Sequence, residues 1–430
     1  MTQTVPFGKK FKETYFTNIN PQYTAVNHGS YGLFPDKIFH RYVEEMKKDL
    51  YNPDNYVKVQ QPETYKKALQ TLGEFFHCDY RNLALVDNAT TGVNTILRSF
   101  PLDKGDKIVY PSTIYGACGL TIKFMVNRYG IEAVPIELVY PLEETEILSK
   151  FEKVFKEQKP KIALFDVVIS MPGVKFPYEE MTELCRKYGV LSLIDGAHCA
   201  GLNPIDLGKL RPDFFVTNLH KWLFVPRVCA SLYIDKKHHR SVHTLPVSHS
   251  YLDDNSKVSA EDEENWLVDR FTFIGTKNFA SIAVIGDCIR FRQEECGGEQ
   301  AVYDYCHSLA IKAGDAVSKI WGGPVLQNKA KTLVSTMVTV ELPLEQFGLS
   351  ITDFTGNYVE TIEYVFGREF QEYNTYVPVI VHNKKMYGRF SAQVYTELSD
   401  FEVAARKVVE VFNTLADDPK FRKLSGKSKL

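Results

Sequence analysis

The chain has 430 residues, 44% of them apolar and 24% charged, which is enough for a large core and two domains. Lys plus Arg total 51 against 53 Asp plus Glu, so the composition offers no electrostatic grip on nucleic acid or on an anionic membrane surface. No apolar run approaches the roughly 20 residues of a membrane span, and the polar, basic stretch 1–20 lacks the apolar core of a signal peptide.

The N-terminal arm leads into Asn27-His28-Gly29-Ser30-Tyr31-Gly32. This is a turn-rich loop whose glycines permit close approach to a ligand, or a plain surface turn. Helical spacing of apolar residues predicts helices over 36–50 and 64–76. Residues 83–87 read as a short buried strand. It runs into Asn88-Ala89-Thr90-Thr91-Gly92, and a helix opens over 93–100. A small polar turn between strand and helix presents free amides and a positive dipole end to an anion. The same residues also serve as an ordinary cap. Strands follow over 107–110, 131–136, 161–169 and 190–195, with helices over 115–129, 143–158 and 178–188. That alternation predicts an α/β fold: a mostly parallel sheet with helices on both faces and ligands at the carboxyl ends of its strands. Residues 88–91, Tyr115, Asp166, Asp195 and Lys221 all fall at such ends.

Asp195 closes the apolar run 190–194 and precedes Gly196-Ala197-His198. A carboxylate there wants a cationic partner, such as a protonated ring nitrogen, or else caps a helix. Lys221 lies between two apolar runs, 212–216 and 225–234, within Thr217-Asn218-Leu219-His220-Lys221-Trp222. Burial lowers the pKa of an ammonium and leaves part of it as free amine. Free amine is the form that condenses with a carbonyl to a Schiff base. Taken alone, the same residue also reads as a loop lysine reaching solvent.

His238, His239, His243 and His249 lie in a basic stretch without an acidic helper, and read as a solvated loop rather than a metal site. Residues 256–265 read as an exposed acidic excursion. Gly275-Thr276 precedes a helix over 278–295 and forms a second anion-friendly turn. Beyond residue 300 the pattern predicts helices over 301–321, 351–366 and 400–415, and strands over 333–342, 377–382 and 387–395, as in a smaller α+β domain. Arg389, within one of those strands, suits two-pronged capture of a carboxylate, or sits on an exposed edge. The expected layout is an arm and substrate loop over 1–35, a large domain over 36–299 and a small domain over 300–430. Eight cysteines without a Cys-x-x-Cys read as reduced core thiols. Ser428-Lys429-Leu430 is a peroxisomal address when it ends a chain, recognised by an import receptor; otherwise it is a basic tail and a cytoplasmic location is expected.

In this order, these stretches resemble the class V aminotransferase family of fold type I pyridoxal-phosphate enzymes, over residues 27–415. The hercynylcysteine sulfoxide lyase and isopenicillin N epimerase-like branches look nearest. The resemblance implies that Lys221 forms the Schiff base with pyridoxal 5'-phosphate and moves the α-proton of an amino-acid-type substrate. It implies that Asp195 pairs with the pyridine nitrogen, that His198 approaches the phenolic oxygen, and that Tyr115 stacks on the ring. Ala89, Thr90 and His220 would hold the phosphate. Gly275 and Thr276 would reach the phosphate of a second subunit in a homodimer. Arg389 would take the substrate carboxylate, with Asn27 and His28 lining the entrance. Residues 369–388 hold no cysteine, where the family's desulfurases carry their persulfide-forming one. The expected chemistry is therefore carbon–sulfur lysis by β-elimination, with epimerisation or transamination as the alternative outcomes of the same proton removal. A non-catalytic cofactor-binding protein fits poorly with an intact Lys221, Asp195 and Arg389. A nucleotide-dependent oxidoreductase lacks its Gly-x-Gly-x-x-Gly.

Overall fold

The computed structural model describes residues 5–253 and 255–426; Ser428-Lys429-Leu430 lie outside the described residues. Seven strands form one sheet: β1 (Leu83–Val86), β2 (Lys107–Pro111), β3 (Glu132–Ile136), β4 (Ile162–Asp166), β5 (Leu191–Asp195), β6 (Phe214–Asn218) and β7 (Ala230–Ile234). Their order is β1-β7-β6-β5-β4-β2-β3. Only β7 runs against its neighbours; β6, β5, β4, β2 and β3 pair in parallel. Helices cover the sheet, so β1, β4, β6 and β7 are buried along their whole length. That is why they read as continuous apolar runs rather than alternating ones. The edge strand β3 is mostly exposed and carries Pro135, which a central strand would not tolerate.

A second sheet, β8 (Met337–Glu341), β9 (Val379–His382) and β10 (Lys385–Ser391), is antiparallel in the order β8-β10-β9. Helices Glu299–Trp321 and Leu398–Leu415 pack against each other, and the first also packs on β8. Residues 27 and 391 form a parallel bridge, and Val26 accepts from the Ser391 amide at 2.7 Å. This sews the N-terminal loop to the end of β10.

Several segments differ from the sequence expectation. The arm contains a helix, Lys9–Tyr15, anchored by the buried Phe11. The acidic stretch opens the helix Ala260–Thr272, with Ser259 and Asp262 in a reciprocal capping box. Its buried stripe is Trp266, Leu267, Arg270 and Phe271, a helical spacing that the surrounding acids obscure. The helices expected over 278–295 and 351–366 are each broken in two. The four histidines are tied into the fold rather than solvated. His238 Nε2 is 3.0 Å from Asp213 Oδ1, and His239 Nε2 is 3.1 Å from the Ile234 oxygen. His243 Nδ1 lies 2.9 Å from Arg270, and His249 stacks on Phe273. Among the described residues no group of His, Cys, Asp and Glu is arranged to hold a metal ion, no helix is long and apolar enough to cross a membrane, and all eight cysteines are free thiols.

Candidate active site

The carboxyl ends of β4, β5 and β6 and the turn after β1 converge on a cavity of about 470 Å³. Its wall includes Ala89, Thr90, Tyr115, Asp195, His198 and Lys221, and His220, Asn88, Thr91, Asp166 and Asn218 complete its polar lining.

Lys221 sits in a four-residue helical turn, Leu219–Trp222, between β6 and β7. The turn is gripped from three sides. His28 Nε2 lies 2.8 Å from the Lys221 carbonyl oxygen. Arg292 donates to the Trp222 oxygen at 2.9 Å. Gly32, at φ 66, packs so close that an added Cβ would overlap the His220 carbonyl oxygen. The Lys221 amine is thereby held 3.2 Å from His198 Nε2. Burial and the nearby Arg389 charge lower its pKa to about 8, against the pull of Asp195 and Asp166. About a tenth is therefore free amine at pH 7, several hundred times the share of an ordinary lysine.

Asp195 is 3% exposed. One of its oxygens accepts from the Ala197 amide at 2.9 Å. The other meets only the weak thiol donor of Cys118, at 3.4 Å. Burial raises the Asp195 pKa. Asp166 stands beside it in register on β4, with Oδ2 buried and without a hydrogen-bond partner. Burial and the Asp195 charge push the Asp166 carboxyl well above the usual range. On the opposite side, Asn88 caps the helix Ala89–Ser99 by accepting from the Thr91 amide at 2.8 Å. Asn218 holds the Ala89 amide at 2.8 Å. The helix N-terminus, with Thr90 and Thr91, thus lines the cavity. His220 donates Nδ1–H to the Cys229 oxygen at 2.9 Å. Its pKa is lowered to about 4, chiefly by burial, so it donates to an anion only after that anion's field protonates it.

This donor set fits pyridoxal phosphate: an amine for the aldehyde, a buried carboxylate oxygen lacking a strong partner for the ring nitrogen, and a helix N-terminus for the phosphate. Tyr115, 49% exposed, lines both this cavity and a second one of about 300 Å³. That second cavity shares Ser30, Tyr31, Ser170 and Lys221 with the first, and is walled by Tyr358, Ile362, Phe366, Tyr376 and Val379. Arg389 lies in its wall. It is 2% exposed, and donates to the Ser170 oxygen at 2.6 Å, Asn27 Oδ1 at 2.9 Å and Ser30 Oγ at 2.7 Å. Among the described residues no carboxylate pairs with it, and its Nε has no partner.

One expectation needs correction. Asn27 and His28 do not line the entrance. Asn27 is buried and holds Arg389, while His28 is buried between Tyr395 and the Lys221 carbonyl. Ser30 and Tyr31, two and three residues on, occupy the wall instead. Gly275 and Thr276 do not line this chain's own cavity, although the adjacent Lys277 pairs with Asp87 at 3.3 Å, one residue before the phosphate-type turn. Sequence reasoning missed Ser170, Asn218, Tyr358 and Tyr376. They are ordinary strand-end, loop and helix residues, and only the register of strands and helix brings them together.

A family model described as Aminotransferase class-V matches residues 36–344. The chain is similar to "Hercynylcysteine sulfoxide lyase" of Schizosaccharomyces pombe, 30% identical over 96% of this chain and 100% of that protein. It is similar to "L-cysteine desulfhydrase-like protein lolT1" of Epichloe uncinata, 29% identical over 95% of this chain and 96% of that one. In fold it matches the cystine C–S lyase C-DES, solved with its product cysteine persulfide. The TM-score is 0.75, at 16% identity, over 92% of this chain and 99% of that one.

Proposed function

The chain belongs to the class V aminotransferase family, and from that premise we propose that it is a pyridoxal-phosphate-dependent carbon–sulfur lyase acting on cysteine conjugates. The observation that carries the reading is Arg389: a buried guanidinium held by three neutral oxygens, without an acid, opening on the cavity that also holds the Lys221 amine. A buried cation so placed calls for a carboxylate from outside. An α-carboxylate there sets the substrate's Cα toward Lys221.

Pyridoxal phosphate, when bound, supplies the electron sink that makes the substrate's Cα–H acidic. Lys221, Asp195, His198, Tyr115, Ala89, Thr90 and His220 would hold it. The Lys221 amine, lowered to about 8, takes the Cα proton. The Cβ–S bond then breaks with its electron pair on sulfur, and the freed enamine hydrolyses to pyruvate and ammonia. The cavity of about 300 Å³ beyond Lys221 is more than free cysteine fills. Its tyrosine and phenylalanine wall suits a bulky, ring-bearing group on the sulfur. Elimination needs one base and a leaving group, whereas inversion needs a second proton donor on the opposite face. His28 is buried behind the Lys221 turn, with Nε2 on the Lys221 carbonyl oxygen, and does not supply one.

Pyruvate released from S-aryl and S-imidazolyl cysteine sulfoxides, measured with a coupled dehydrogenase, tests the reading. Recovery of inverted amino acid without pyruvate overturns it in favour of an epimerase. We propose in addition a homodimer in which Gly275 and Thr276 approach the partner's phosphate. Supporting it are the half-exposed Tyr115 and the position of the Gly275-Thr276 turn beside Asp87. Light scattering that returns a monomer mass for the holoenzyme overturns this part.

A further inference from the structure

Trp222 directly follows Lys221 in the short turn. Its indole is 1% exposed and its placement is over-determined. The ring lies 5.1 Å from that of His28. A Cβ added at Gly29 would stand 3.1 Å from its Cζ2. Arg292 pins its carbonyl. Trp222 Nε1 lies 3.2 Å from His198 Nδ1. An indole N–H donates and never accepts, so His198 Nδ1 must accept and carries no proton. Burial, and then the nearby Lys221 and Arg389 charges, lower the His198 pKa well below the usual imidazole value. A neutral imidazole has one N–H, and here only Nε2 is left to bear it. Nε2 faces the cavity, 3.2 Å from Lys221 Nζ, which as the free amine accepts from it.

We propose that Trp222 is a positioning residue that locks His198 as its Nε2–H tautomer, so that His198 presents a hydrogen-bond donor to an oxyanion held beside Lys221. The oxyanion is identified with the cofactor's phenolic oxygen on the reading given above. The tautomer itself belongs to the protein alone. The opposite tautomer would set a lone pair against that oxygen and replace attraction with repulsion. The lysine and the group that dictates its neighbour's tautomer are thus consecutive residues on one rigid turn.

The test begins with the protein before cofactor is added. Long-range proton–nitrogen correlation on nitrogen-labelled protein, at about pH 9 where most of Lys221 is free amine, is expected to show His198 protonated on Nε2 and bare on Nδ1. Trp222→Phe keeps the aromatic volume and removes the donor. It is expected to give a mixture of tautomers and to weaken pyridoxal phosphate binding about 10-fold, with a shifted absorbance titration of the bound cofactor. In a His198→Gln background, where the side-chain amide donates without any tautomer, Trp222→Phe is expected to leave binding unchanged. Wild-type His198 protonated on Nδ1 overturns the proposal even if Trp222→Phe fails to fold. So does an equal loss from Trp222→Phe in both backgrounds, which marks a packing effect. Failure of the lyase assay with these tautomer results intact would count against the reaction and not against the tautomer.

Discussion

Lys221 and Asp195 were legible in the sequence because each is a single charge ending or interrupting an apolar run, and burying such a charge unpaired is too costly to be incidental. Asn27 and His28 misled because a polar loop residue carries no sign of which way it points. The Lys221 shift has a consequence that can be measured without substrate. Its folded pKa is lowered from 10.5 to about 8, so between those values the unfolded chain binds a proton that the folded chain does not. Stability of the cofactor-free protein therefore rises with pH across that window, and the penalty is fully present below about pH 8. Urea denaturation of wild type and Lys221→Met is expected to diverge. Wild type gains on the order of 2 kcal/mol relative to the variant between pH 8 and 10, and parallel curves would remove the burial argument. Asp166 and Asp195 separate in the same spirit. With its carboxyl pushed up by burial and by Asp195, Asp166 holds its proton more tightly than an ordinary carboxyl. Asp166→Asn is thus expected to keep cofactor affinity within about 3-fold. Asp195→Asn leaves the ring nitrogen unpaired and is expected to cost at least about 100-fold in kcat/KM.

At the scale of elements, the parallel strands were readable because strands buried on both faces lose their alternation and become apolar runs. The helix Ala260–Thr272 was not, since its capping acids and exposed face outweigh a narrow buried stripe. Nor was the Lys221 turn, at four residues too short to show any period. That turn depends on backbone contact with Gly32, whose left-handed φ of 66 and close approach to His220 and Lys221 exclude a side chain. Gly32→Ala is expected to displace the turn and cost about 1–3 kcal/mol in stability. Cofactor binding should suffer more than the melting temperature, because the atoms a methyl group at residue 32 would meet first belong to His220 and Lys221. Thermal melts with and without added pyridoxal phosphate separate the two effects. A variant stabilised by cofactor as much as wild type would show that the turn tolerates the methyl group.

Across the whole molecule, the substrate side of the site is assembled from parts that lie far apart in sequence. Arg389 comes from β10 of the small sheet, its acceptors Asn27 and Ser30 from the N-terminal loop, and Ser170 from the end of the large sheet's β4 connection. No local pattern announces such a convergence, which is why Arg389 was legible and its three acceptors were not. The arrangement also decides what a conservative change does. A guanidinium has five N–H donors, of which three fixed oxygens take three, whereas an ammonium at the end of a flexible stem satisfies only part of that set. Arg389→Lys is therefore expected to raise KM for cysteine conjugates about 100-fold while leaving pyridoxal phosphate affinity unchanged, because among the described residues Arg389 donates to Ser170, Asn27 and Ser30 and not to the residues that would hold the cofactor. Steady-state kinetics paired with a cofactor titration checks both halves. Loss of cofactor affinity together with KM would mean that the small sheet, through Asn27 and Ser30, holds the Lys221 turn in place and does not merely bind substrate beside it.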